Sequence, residues 1–112
     1  METQEKIIGY LDDNGIEALK KEHKCKNVHE CITENEEGEK HATYFKKPSL
    51  DHIEALASFA KKGEEIKGLG VLFNTCRLAG SPEVIEDDEM RLAACGELAK
   101  LFKKREAIVK KR

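Results

Sequence analysis

Four side chains able to bind a metal fall within nine residues, in the run His23-Lys-Cys25-Lys-Asn-Val-His29-Glu-Cys31, and His41 follows ten residues later. Zinc takes tetrahedral sets of Cys and His, so the composition suits it. The spacing does not. In a strand alternate side chains share a face, and His23 to Cys31 would span roughly 26 Å. Ligands must converge to about 2.0–2.3 Å from one ion, and no Cys-x₂-Cys knuckle bends the backbone to allow it. Ordinary strand residues are the expectation here.

Thiol catalysis meets a similar objection. A nucleophile needs a base within hydrogen-bond reach and a third group to orient that base. Cys31 can be drawn beside His29 or His41, and Lys24 and Lys26 flank Cys25, a setting that lowers a thiol pKa. Neither arrangement implies a pocket. The acidic run Glu83 to Glu89 lacks the alternating ligands and central glycine of a calcium loop. Gly63 to Gly70 lacks the Lys-Ser/Thr of a phosphate loop. No catalytic, cofactor-binding or metal-ligating residue is assigned, no cofactor is expected, and the chain is read as no enzyme.

The elements that position these residues follow from local pattern. A short helix is expected near Gln4–Leu11. Asp12-Asp13-Asn14-Gly15 is a turn signal, and a second helix runs from Gly15 to about His23. Lys26–Thr33 and Glu39–Lys46 are rich in β-branched and aromatic residues and flank an acidic linker ending in Gly38, the pattern of a β-hairpin. A lone hairpin is marginal in water, so it must pack on helices or recruit a further strand. Ser49 caps the next helix, whose apolar face is Leu50, Ile53, Leu56, Ala57 and Ala60, closed by Gly63. Another helix is expected from Glu64 to Leu78, with Ile66, Leu69, Phe73 and Cys76 buried; Gly68 and Gly70 serve close packing. After the turn Ala79–Pro82, a last helix spans Asp87 to Lys110, with Leu92, Cys95, Leu98, Ala99, Phe102 and Val109 on its apolar face.

The sum is an α+β fold: a two-stranded hairpin, alone or within a small antiparallel sheet, with short helices before it and a three-helix C-terminal half. One domain covers residues 1–112, divided into a helical segment 1–25, the hairpin 26–47 and the helical part 49–110.

Charged residues make up 38% of the 112 and apolar ones 39%, and the net charge is −2, which gives no global pull toward nucleic acid or acidic membranes. No apolar run approaches the roughly 20 residues of a membrane span, and the start METQEKIIGY lacks a signal peptide's basic head. A cytoplasmic chain with reduced cysteines is expected, without a membrane partner. The last ten residues carry six cations and Glu106, but no aromatic interleaving and no nucleic-acid motif, so a solvated helix end is the reading there.

The order of elements from about Val28 to Ala107 resembles the small tail assembly chaperone-like proteins of tailed bacteriophages and prophages. The likeness lies in the strand and stop Thr43-Tyr-Phe-Lys-Lys-Pro-Ser49, the helix Leu50–Lys62, the stretch Gly70-Val-Leu-Phe-Asn-Thr-Cys-Arg-Leu-Ala-Gly80, and Pro82-Glu-Val-Ile-Glu-Asp-Asp-Glu89 ahead of a final helix. The N-terminal region has no counterpart in that pattern. The resemblance implies a helper in the host cytoplasm that keeps the tape-measure protein soluble and assists tail-tube polymerisation. The helix Asp87–Lys110 or the edge of the hairpin, through strand addition, could offer the binding surface; the alternative is that both are used in the protein's own core, and no partner-binding residue is assigned. Two other readings compete: a small adaptor or regulator that binds nucleic acid through Lys103–Arg112, and a metal or thiol enzyme built on Cys25 and Cys31.

Overall fold

The computed structural model describes residues 6–102 and 106–112. The fold is α+β, and its centre is one strand. Strand β3 (Lys40–Phe45) pairs along one edge, antiparallel, with β2 (His29–Glu34). Two short strands share its other edge end to end: β1 (Ile7–Ile8), parallel beside Lys40 and His41, and β4 (Arg77–Gly80), antiparallel beside Thr43 to Phe45. Every residue of β3 from His41 to Phe45 is buried, as expected of a strand covered on both faces.

Alternation along β3 divides the core in two. Ala42 and Tyr44 point to the layer of α1 (Asp13–His23), where Leu11, Ile16, Leu19 and Val28 meet them. Phe45 points the other way, into a cluster with Leu72, Phe73, Cys76, Val84, Met90, Ala94, Cys95 and Leu98. These come from α3 (Glu65–Cys76), α4 (Pro82–Glu86) and α5 (Asp88–Ala99). The rings of Phe45 and Phe73 meet edge to face, with centroids 5.5 Å apart. Helix α2 (Leu50–Lys61) lies outside this layer against α3 and buries none of its residues fully.

Local chemistry explains the boundaries. Asp12 caps α1 by accepting from Gly15 N–H at 2.9 Å, so part of the expected turn is the helix start. Asn35 organises the hairpin turn, its Oδ1 accepting from the N–H groups of Glu37 and Glu39, while Gly38 takes the left-handed conformation (φ +81°). Ser49 and His52 cap α2 reciprocally: His52 N–H donates to Ser49 Oγ, and Ser49 N–H donates to His52 Nδ1.

Four expectations need correction. The helix near Gln4–Leu11 is replaced, within the described residues, by β1 and a turn; Gln4 and Glu5 lie outside them. The hairpin belongs to a sheet that is mixed, because β1 runs parallel. The helix expected to reach Leu78 stops at Cys76, and the chain passes straight into β4, since the unpaired edge of β3 offers backbone partners that a further helical turn would forgo. The helix expected over Asp87–Lys110 ends at Ala99; residues 106–112 form no regular structure and are exposed, and 103–105 lie outside the described residues. Among the described residues the C-terminal half accordingly holds four helices and a strand.

Burial shifts with these boundaries. Ile66 is 71% exposed, and Leu50, Leu92 and Val109 are exposed too, while Leu72 and Met90 take core places the spacing did not assign. Gly68 does serve close packing, as a Cβ there would lie 2.8 Å from Phe59 Cβ; Gly70 faces open space. No helix among the described residues is long and apolar enough to cross a membrane.

Candidate functional site

The sheet scatters the His/Cys cluster. His23 ends α1 beside Glu22, and Cys25 follows the left-handed Lys24. His29, Cys31 and Thr33 sit on the face of β2 that looks toward α5, and Cys31 packs against the Phe45 cluster. Among the described residues no three His, Cys, Asp or Glu side chains converge to hold a metal. All four cysteines are free thiols. Burial pushes the Cys31 thiol up, and the nearby Glu97 carboxylate adds to the effect. That is the opposite direction from the thiolate that nucleophilic chemistry uses. Cys76 and Cys95 are raised by burial as well, against smaller opposing effects of Lys46 on the first and Arg91 on the second.

His41 finds a partner that sequence spacing did not suggest. Its Nδ1 lies 2.7 Å from Ser81 Oγ, and its Nε2 lies 3.4 Å from Glu83 Oε2. The Glu83 carboxylate, which only accepts, favours a proton on Nε2, while the Asn35 amide, whose Nδ2 lies 3.5 Å from the same nitrogen and donates, favours one on Nδ1; the Ser81 hydroxyl can answer either by donating or accepting. Serine, imidazole and carboxylate in a row resemble a catalytic relay. Here, however, Ser81 is 1% exposed and His41 fully buried. The backbone of Gly9 seals the serine: a Cβ on Gly9 would lie 2.5 Å from Ser81 N. The set therefore works as a staple. It ties β3 to the start of α4, reinforced by Ser81 N–H donating to Ala42 O at 2.9 Å.

A groove of about 700 Å³ opens between β2 and α5. His29 to Glu34 form one wall. Glu89, Met90, Ala93, Glu97, Leu98 and Leu101 form the other, and Phe45 lies beneath. The two surfaces expected separately, the hairpin edge and the last helix, thus border one site. Among the described residues β2 pairs only with β3, so its outer edge is open to a further strand. Thr33 lines the groove at 8% exposure, and its Oγ1 has no hydrogen-bond partner among the described residues. The rim carries four carboxylates, Glu30, Glu34, Glu89 and Glu97, and no lysine or arginine among the described lining residues. Two of the four are engaged: Glu30 accepts from Tyr44 Oη at 2.7 Å, and Glu97 pairs with Lys100 at 3.1 Å.

Sequence reasoning pointed to the hairpin edge but missed the groove, because α5 faces β2 only through the long return of α2 and α3. Ser81 was expected only in the turn Ala79–Pro82, neither as the residue ahead of α4 nor as the partner of a histidine forty positions earlier. No protein-family model matches the chain, and neither does any curated protein or solved structure.

Proposed function

We infer that this chain is a non-enzymatic binding protein that holds a segment of another protein in the groove between β2 and α5, as a helper in phage or prophage tail assembly. The tape-measure protein or the tail-tube protein is the client. The observation that carries this reading is the combination of an open strand edge with a helix-walled groove of mixed apolar and acidic lining alongside it. Strand addition supplies backbone hydrogen bonds, and the groove supplies pockets for alternate side chains. The resemblance of residues Val28 to Ala107 to tail assembly chaperone-like proteins supplies the identity of the client. A long helical or extended tail protein has apolar surface that must stay covered before assembly, and a small acidic protein in the host cytoplasm can cover it transiently.

The test is a tagged capture from a host during phage or prophage induction, run in parallel with the groove variant Ala93→Arg. Capture of tape-measure or tail-tube protein by the parent chain, and its loss in the variant, is the expected result. Recovery of nucleic acid or host regulators instead would overturn the reading and favour an adaptor acting through its basic C-terminus.

A further inference from the structure

The groove matches one segment of the chain itself. Residues 106–112 read Glu-Ala-Ile-Val-Lys-Lys-Arg: two β-branched apolar residues followed by three cations. This segment stands clear of the body, with Ile108 85% and Val109 95% exposed. Two adjacent β-branched side chains almost wholly in water suit a strand that has yet to find its sheet. The groove offers the complement: an open edge on β2, apolar surface at the exposed Ile32 and Ala93 and the half-buried Cys31 and Leu101, and the glutamates of its rim.

We propose that the groove between β2 and α5 binds the C-terminal segment Ile108–Arg112 of a second copy of this chain, joining copies tail to groove. The pattern fits an added strand. Side chains alternate across a strand, so Val109 and Lys111 face one way while Ile108, Lys110 and Arg112 face the other. Along β2 the same alternation puts His29, Cys31 and Thr33 on the α5 side, where Glu89 and Glu97 of α5 supply the carboxylates, and Glu30, Ile32 and Glu34 on the other. Apolar and cationic residues of the tail therefore meet apolar and acidic neighbours on both faces. The tail lies outside its own groove, whose lining it does not enter, and that groove stays open to a neighbouring molecule's tail. This contact stands independently of the client reading; the two share a surface, and a tail in the groove would compete with a client.

Sedimentation velocity over a concentration series tests it, on the full chain and on two variants at exposed positions, Ala93→Arg to fill the groove and Ile108→Asp/Val109→Asp to spoil the tail. The full chain should gain mass with concentration and lose it at high salt, where charge pairing is screened. Each variant alone should stay monomeric with an unchanged circular dichroism spectrum. Mixed in equal amounts they should form a heterodimer, because one supplies an intact tail and the other an intact groove. A full chain that is monomeric throughout would overturn the proposal, including the case in which the tail folds into its own groove. So would self-association that both variants retain, or a mixture that stays monomeric.

Discussion

The imidazole of His41, on the central strand, lies 2.7 Å from the hydroxyl of Ser81, forty residues later in the chain and one residue ahead of α4. Both groups are buried, and Ser81 makes no side-chain cap to its own helix because its hydroxyl is committed to the histidine. Replacing Ser81 with alanine leaves Nδ1 buried without a partner, which costs about 1–3 kcal/mol. Urea unfolding of Ser81→Ala against the parent chain reads this directly. A loss within about 0.5 kcal/mol would mean that the staple contributes little.

Gly68 and Gly70 lie two residues apart on α3 and should answer the same substitution with opposite sign. A Cβ at Gly68 meets Phe59 Cβ at 2.8 Å and Leu56 Cδ1 at 3.1 Å, so alanine there pushes α2 off α3. Overpacking of this kind costs about 1–3 kcal/mol, more than the gain of about 1 kcal/mol in helix propensity. At Gly70 nothing lies within 4 Å, so alanine gains the propensity alone. Thermal melts of Gly68→Ala and Gly70→Ala should move down and up respectively.

Tyr44 sets an alkaline limit. Burial, with the Glu30 carboxylate that accepts its proton, pushes its hydroxyl up to about 12, although the Leu11 N–H donating to it works the other way. Between pH 10 and 12 the unfolded chain releases this proton while the folded chain keeps it, so stability falls as pH rises through that window. The raised thiols of Cys31, Cys76 and Cys95 act in the same direction. The part belonging to Tyr44 is therefore the difference in pH slope between the parent chain and Tyr44→Phe, which should have the shallower fall.

The thiols should also differ in reactivity. Cys76 and Cys95 are buried, so an alkylating reagent should reach them only on unfolding. Cys25 and Cys31 are partly exposed, but the raised Cys31 reacts through a smaller thiolate fraction. Mass spectrometry of the native chain after brief iodoacetamide treatment should show Cys25 modified before Cys31, with Cys76 and Cys95 untouched.

The hairpin was legible in the sequence because its signals are local: β-branched flanks, an acidic linker ending in Gly38, and a Lys-Pro-Ser stop. The cap at Ser49 was legible for the same reason. What escaped was non-local. Arg77–Gly80 carries no strand pattern of its own and becomes β4 only because β3 has an edge to fill. Ile7–Ile8 becomes β1 on the same account. The last helix looked longer because charge and apolar spacing continue past Ala99, yet Val109 is exposed and nothing among the described residues covers it, and helix length in proteins follows tertiary packing more than propensity. The groove was hidden for the same reason: two expected surfaces became one site only through the fold.

The most direct measurement places a photo-crosslinking residue at Ala93 on the wall of the groove and, in a separate chain, at exposed Ser58 on α2, then irradiates the host during phage or prophage induction. The account predicts crosslinks from position 93 to tape-measure or tail-tube protein and none from position 58. Crosslinks to those proteins from position 58 but not 93, or to nucleic acid alone, would contradict it.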